Sequence, residues 1–290
     1  DQKTPQPEDG KAFFGRDAMA NYMLVGCRQL GMEIFSVKGG QVTLQLDRAV
    51  LRKLWNAYYI PYINGYYTAS GRFRSDDIKM GNIVAMVGST TGVTYFPDCV
   101  NLSDSEGYPI TCLMQAAPRF AQGKPVVVQQ GAGMVVTKSD PQTERAATTF
   151  LKWFTQSQRN AEFAIAAGYL PVKRDVQHPQ VLESIWKEWE GVHLDERTRL
   201  AYTTAMRQME ICSLYAGKAF SGGVEARDIL EHALQDKAQE DRAQVEAHIA
   251  AGMPREEAVL SYCTDENFEA WYQSLHGMLQ QVIHEGSFSK

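Results

Sequence analysis

"GAGMVVTKSDPQTERAATTFLKWFTQSQRNAEFAIAAGYLPV", Gly131–Val172, is the stretch on which the fold turns. Just upstream, Val126–Val128 and, within it, Met134–Val136 form two apolar arms around Gln129, Gln130, Gly131, Ala132 and Gly133. Asp140 followed by Pro141 predicts a helix start, with proline at the first helical position, where its missing N–H costs nothing. Ala146, Ala147, Phe150, Leu151 and Phe154 then recur as one apolar stripe. Thr155 and Gln158 fit a capping box for a second helix, and Gly168 is the residue type expected just past its end. "YLPVKRD" leaves that helix extended.

Upstream lies "IKMGNIVAMVGSTTG", Ile78–Gly92. The run Ile83–Val87 reads as a buried strand that breaks at Gly88 into three hydroxyls, Ser89, Thr90 and Thr91. A phosphate loop needs Gly, four residues, Gly and Lys; Gly81 and Gly88 are too far apart and no lysine follows. A nucleophile elbow needs Gly-x-Ser-x-Gly, which "VGSTTG" lacks. All six histidines, at 178, 193, 232, 248, 276 and 284, fall beyond residue 177 and read as surface or capping residues. Asp76 and Asp77 are adjacent, so on a helix they point about 100° apart and do not converge. They suit a helix start instead.

Around these segments the periodicity predicts a helix from Ala18 to Leu30 closed by Gly31, and a short strand over Gln41–Asp47. Asp47 is placed to cap the next helix, whose apolar face is Val50, Leu51, Leu54, Trp55 and Tyr58. A short helix is expected over Phe73–Met80 and a strand over Tyr108–Ala116. Beyond Pro179 the pattern is helical almost throughout, with one helix over Tyr202–Ala219 and another opening with Val224, Ile229, Leu230, Ala233 and Leu234. The charged continuation to Ala251 reads as a solvated face. Phe268, Trp271, Tyr272, Leu275, Leu279 and Ile283 mark a final amphipathic helix.

Composition narrows the classes. The 290 residues are 44% hydrophobic and 22% charged with a formal net charge of −5, the globular range and not that of a nucleic-acid binder. No apolar run approaches a membrane-spanning length. The first eleven residues are polar and carry no signal-peptide pattern. Five isolated cysteines, at 27, 99, 112, 212 and 263, lack metal spacing and read as buried free thiols; export would permit one disulfide. No cofactor motif is present. Two apolar strands ending in small polar residues form a recognition pattern, since such ends expose backbone N–H groups at the edge of an α/β sheet.

"KMGNIVAMVGSTTG" followed by "GAGMVV…GYLPV" resembles the extracellular solute-binding proteins of ABC importers, the sugar-binding group that includes maltose-binding protein. Gly81, Ala85 and Met86, then Gly131–Gly133 with Ser139 and Ala146–Thr155, then Gly168–Val172 carry the likeness in order. The resemblance implies a type II periplasmic-binding-protein-like α/β fold. This chain would supply the second lobe, the hinge-crossing elements and a helix-rich C-terminal third, with the first lobe largely missing. It implies a second-lobe core over residues 1–124, a crossover strand and first-lobe helices over 125–178, and a helical region over 179–290. Gly88, Ser89, Thr90, Thr91, Gln129, Gln130, Gly131, Ala132 and Tyr169 match ligand-approaching positions, although this chain places no aromatic beside Ser89 until Tyr95. The implied partners are a sugar or similar polar solute and the membrane permease, and the implied location is outside the cytoplasm, as in a lipoprotein; no enzymatic role and no metal are implied. The contrasting reading from the residues is an α/β hydrolase, a glycosidase or esterase. Helices Ala146–Phe154 and Ala161–Ala167, deprived of a first-lobe sheet, would expose apolar faces that recruit a second copy or are covered by rearranged packing.

Overall fold

The computed structural model describes residues 11–188 and 195–288. His193 and nearly all of the polar N-terminal stretch lie outside the described residues. The first half of the chain runs β1 (Phe14–Arg16), α1 (Met19–Gln29), β2 (Phe35–Lys38), β3 (Gln41–Leu44), α2 (Arg48–Ile63), α3 (Arg74–Lys79), β4 (Ala85–Val87), β5 (Cys99–Asn101) and β6 (Gly107–Pro109). The second half runs β7 (Val126–Val128), α4 (Pro141–Phe154), α5 (Ser157–Ala167), α6 (Pro179–Glu188), α7 (Glu196–Ile211), β8 (Ser213–Tyr215), α8 (Gly223–Ala250), α9 (Arg255–Leu260) and α10 (Asp265–Phe288).

Local signals place several of these. Asp47 accepts the Val50 N–H at 2.9 Å and starts α2. Asp140 accepts the Gln142 and Thr143 N–H groups and starts α4. Gly168 ends α5 at φ 74°, the left-handed conformation that only glycine adopts without strain. Asp76 accepts the Phe73 N–H at the start of α3, while Asp77 is buried on Arg74 at 2.7 Å, so the two carboxylates diverge.

The strands are short and pair in twos: β1 with β4 parallel, β2 with β3 antiparallel, β5 with β6 antiparallel, β7 with β8 parallel. Two hydrophobic clusters form. The larger joins α1 and α2 to α8, α9 and α10, with Trp55 stacked on Tyr59 at 3.7 Å between ring centres and Phe268 and Trp271 against it. The smaller joins Ala161 and Ile165 to Leu182, Trp186, Tyr202 and Met206.

Tertiary pairing overrides several local expectations. The helix expected over Tyr202–Ala219 stops at Ile211, because Ser213–Tyr215 is drawn into the parallel pair with β7, Ser213 donating to the Pro125 carbonyl at 2.8 Å. The strand expected over Tyr108–Ala116 is only β6, where Pro109 offers no N–H to continue the ladder. Met134–Val136 forms no strand; it lies exposed, Val135 at 84%, with no strand beside it among the described residues. Ile83–Val87 is not a buried strand: β4 is Ala85–Val87, half-buried with one neighbour, and Val84 is exposed. The capping box at Thr155 and Gln158 is absent. Thr155 Oγ1 turns back to the Leu151 carbonyl at 2.7 Å, the Gln158 amide reaches Glu162, and Gln156 occupies the cap position.

The largest correction concerns α8. Its charged continuation beyond Leu234 is not simply a solvated face: Ala238, Asp241, Arg242 and Val245 are buried there, continuing the buried line of Leu230 and Leu234 against α1, α2 and α10. Alanines there let helices approach closely, and the buried charges are satisfied. Asp241 accepts from Lys237 at 2.9 Å, from Asn267 at 2.9 Å and from the Tyr59 hydroxyl, while Arg242 donates to the Ile63 carbonyl at 2.9 Å. All five cysteines are free, yet only Cys27 is buried. α4 buries no residue, as anticipated, whereas α5 buries Ala161, Ala164 and Ile165 against α6 and α7 rather than exposing them.

Candidate functional site

The parallel pair β1–β4 sets Arg16 beside Val87, and both strands end there. The N–H of Asp17 donates to the Val87 carbonyl at 2.9 Å and closes the pair. From β1 the chain turns through Ala18, at φ 56°, into α1. Ala18 has no side chain able to cap a helix. Glu231 of α8 does so instead, accepting the Met19 N–H at 3.0 Å and the Ala20 N–H at 2.8 Å.

From β4 the chain enters Gly88 and Ser89. Ser89 caps a turn of 3-10 helix, Thr90–Tyr95, its Oγ accepting the Gly92 N–H at 3.2 Å and sharing a hydrogen bond with Thr91 Oγ1 at 2.7 Å. Among the described residues the Thr90 hydroxyl has no partner. A Cβ added to Gly88 would lie 2.8 Å from the Met86 Cε and 3.7 Å from Asp17 Oδ2, so the Met86 side chain and this carboxylate oxygen both face Gly88 at the strand ends. The other oxygen, Oδ1, holds the Arg74 N–H at 3.1 Å and Nε at 3.4 Å. Burial pushes the Asp17 carboxyl above its usual range, against the pull of Arg74.

Two further segments meet this corner. The α5 terminus is wound so that Tyr169 N–H bonds the Ala164 carbonyl at 2.8 Å, and a Cβ on Gly168 would lie 3.0 Å from the Thr91 Cα. The exposed Tyr169 therefore follows directly on a backbone contact with the hydroxyl segment. The second segment is the crossover. Asn21, in the first turn of α1, donates from Nδ2 to Gln130 Oε1 at 2.8 Å and accepts from Arg227 at 2.8 Å. Gln129 N–H bonds the Tyr215 carbonyl at 2.7 Å. Gly131 and Ala132 are exposed, and a Cβ on Gly131 would meet nothing within 4 Å.

The structure thus groups Gly88, Ser89, Thr90 and Thr91 with Tyr169, and ties Gln130 to α1; it leaves Gly131 and Ala132 apart. Arg16, Asp17, Asn21 and Glu231 belong to the same corner and escaped the sequence reading, because a three-residue strand, "FGR", carries too little periodicity to announce its end. Ser89 Oγ bonds Thr91 and Gly92, not a histidine. Among the described residues no group of three His, Cys, Asp or Glu is placed to hold a metal ion, and no helix is long and apolar enough to cross a membrane. A groove of about 570 Å³ lined by His178, Glu183, Arg199 and Arg207 includes none of the candidate residues.

The corner thus combines the ends of two parallel strands with a run of short polar side chains. The profile of the bacterial extracellular solute-binding proteins matches residues 5–192, well over half of the sequence, and the chain belongs to that family. In fold it is similar to the cyclic alpha-maltosyl-1,6-maltose binding protein from Arthrobacter globiformis, with a TM-score of 0.51 and 17% identity over 94% of this chain. At that identity the likeness is one of fold, and this chain spans 61% of that protein's length. Comparison with curated protein sequences finds no match.

Proposed function

We propose that this chain is the substrate-binding part of an ABC importer, working outside the cytoplasm and handing a carbohydrate or similar polar solute to the membrane permease. One observation carries the reading: in a member of the solute-binding family, Gly88–Thr91 and Gly168–Tyr169 meet at the ends of a parallel strand pair. The Thr90 hydroxyl offers directional hydrogen bonds to a polyol, and the exposed Tyr169 ring offers a face for a sugar ring. The Arthrobacter globiformis protein is by its title a maltosyl-maltose binder, which agrees in substrate class.

In this reading residues 1–124 form the second-lobe core, 125–178 carry the crossover and 179–290 the helical region. The shared cluster of α1, α2 and α8–α10 supports grouping the last helices with the second lobe. Binding acts by favouring the closed arrangement, in which both lobes contact the solute. The exposed face of α4 is where a second copy docks. No observation favours a hydrolase: Asp17 and Asp77 are both committed to Arg74.

Thermal-shift screening against neutral and acidic mono- and oligosaccharides tests the function. A ligand at a hundred times its Kd stabilises the folded state by about 2.7 kcal/mol, a readily visible rise. Absence of any shift across the panel removes the carbohydrate reading.

A further inference from the structure

Arg16 is the least expected residue of the corner. It ends β1, registered against Val87, one residue before Gly88. Its guanidinium lies 4.6 Å from the centre of the Tyr22 ring. Tyr58 and Tyr67 are close by, the three rings forming a wall with centroids 5.9 and 6.0 Å apart. An aromatic face attracts a cation but accepts none of the five N–H groups that a guanidinium presents in its plane. Among the described residues Arg16 has no carboxylate and no hydrogen-bond acceptor; its sequence neighbour Asp17 is held by Arg74.

A half-buried guanidinium with no protein acceptor keeps its donors open to an acceptor brought by a ligand. Burial already holds the Arg16 pKa below its free value. Position identifies what arrives. Tyr22, on which Arg16 stacks, is next to Asn21, which holds Gln130, while Val87 leads into Gly88 and Ser89. Arg16 therefore ends the strand beside Val87 and leads through Asp17 and Ala18 to the helix that carries Asn21, with the Tyr22 ring against its guanidinium and its donors unspent. A planar, forked donor set matches a carboxylate.

We propose that Arg16 is a specificity-determining residue that selects a carboxylate-bearing saccharide, such as a uronic acid or a uronate-containing oligosaccharide. This rests on the carbohydrate-binding reading and narrows it.

The test titrates the chain at low salt with matched pairs, galacturonate against galactose and oligogalacturonate against neutral galacto-oligosaccharide, in wild type, Arg16→Gln and Arg16→Lys. At least one acidic member binds about ten-fold or more tightly than its neutral partner, Arg16→Gln abolishes the difference, and Arg16→Lys keeps part of it. A neutral sugar bound as well as its acid, or a preference that survives Arg16→Gln, overturns the inference and leaves the carbohydrate reading standing. No binding to any saccharide sinks both. A melting comparison separates a structural role. If Arg16 is kept for a ligand, Arg16→Met melts at or above the wild-type temperature without ligand, because an uncompensated charge is gone. A fall of several degrees shows that the aromatic contact is structural and overturns the assignment.

Discussion

Glu231 crosses from α8 to the first turn of α1, where its carboxylate accepts the Ala20 N–H at 2.8 Å and the Met19 N–H at 3.0 Å. This is a cap supplied from 211 residues away, since Ala18 cannot provide one. It combines hydrogen bonding with a negative charge at the positive end of a helix. Glu231→Ala is expected to lower stability by about 1–2 kcal/mol, and Glu231→Gln by less, as read from urea unfolding midpoints. Equal losses would show that only the hydrogen bonds matter.

Gly168 and Gly131 make a matched pair of substitutions. Gly168 has φ 74° and its missing Cβ lies against Thr91, so Gly168→Ala strains the backbone and pushes on the hydroxyl segment. The expected cost exceeds about 1 kcal/mol, with weaker binding of any sugar found in the thermal-shift screen. Gly131→Ala meets open space and should stay within about 0.5 kcal/mol of wild type.

Alkaline stability follows from buried hydroxyls. Burial pushes the hydroxyls of Tyr22, Tyr58 and Tyr202 well above the usual tyrosine range, and burial with the Asp241 contact does the same for Tyr59. Burial raises the Cys27 thiol likewise. These groups stay protonated in the folded chain, while the unfolded chain loses the protons near their ordinary values. Their contribution is therefore complete below about pH 8.5 and is lost as pH rises, first through Cys27 and then, above about pH 10, through the tyrosines. Each buried tyrosine contributes a slope of about 1.4 kcal/mol per pH unit above pH 10. Urea midpoints measured from pH 8 to 11 should fall ever more steeply, and a flat profile would contradict the burial of these side chains.

Phe150 and Trp153 sit on the α4 face at 51% and 44% exposure, with ring centres 5.7 Å apart. Replacing both by serine should change the unfolding midpoint little, because few contacts are lost, but should shift light-scattering mass toward monomer if a second copy covers this face. Trp55→Ala, in the stacked core, should instead cost about 3–5 kcal/mol.

Much of the fold was legible where the determinant is local. Asp47, Asp140 and Gly168 each mark a helix boundary through a hydrogen bond or a backbone angle that the residue itself supplies. The family likeness was legible for a related reason, since it rests on glycines and caps that follow one another in chain order. Ser213–Tyr215 was hidden inside a helical pattern and becomes a strand only because Val126–Val128 lies alongside. The buried face of α8 beyond Leu234 was hidden because alanine, aspartate and arginine do not look like core. Within the candidate site, Ser89 and Tyr169 were visible beside glycines, whereas Arg16, Asp17 and Glu231 gain meaning only when β1, β4 and α8 are brought together.

The parallel pairing of β7 with β8 has a topological consequence. Parallel strands cannot be joined by a tight turn and need a long return path. Here the return path is the whole passage from Gln129 to Cys212, which carries α4 to α7 and contains the smaller hydrophobic cluster. The chain thus departs from and rejoins one seam, with the larger cluster drawn entirely from residues outside that passage. Such a passage is a cassette in the topological sense: both of its ends lie at one seam, and the larger core is assembled without it.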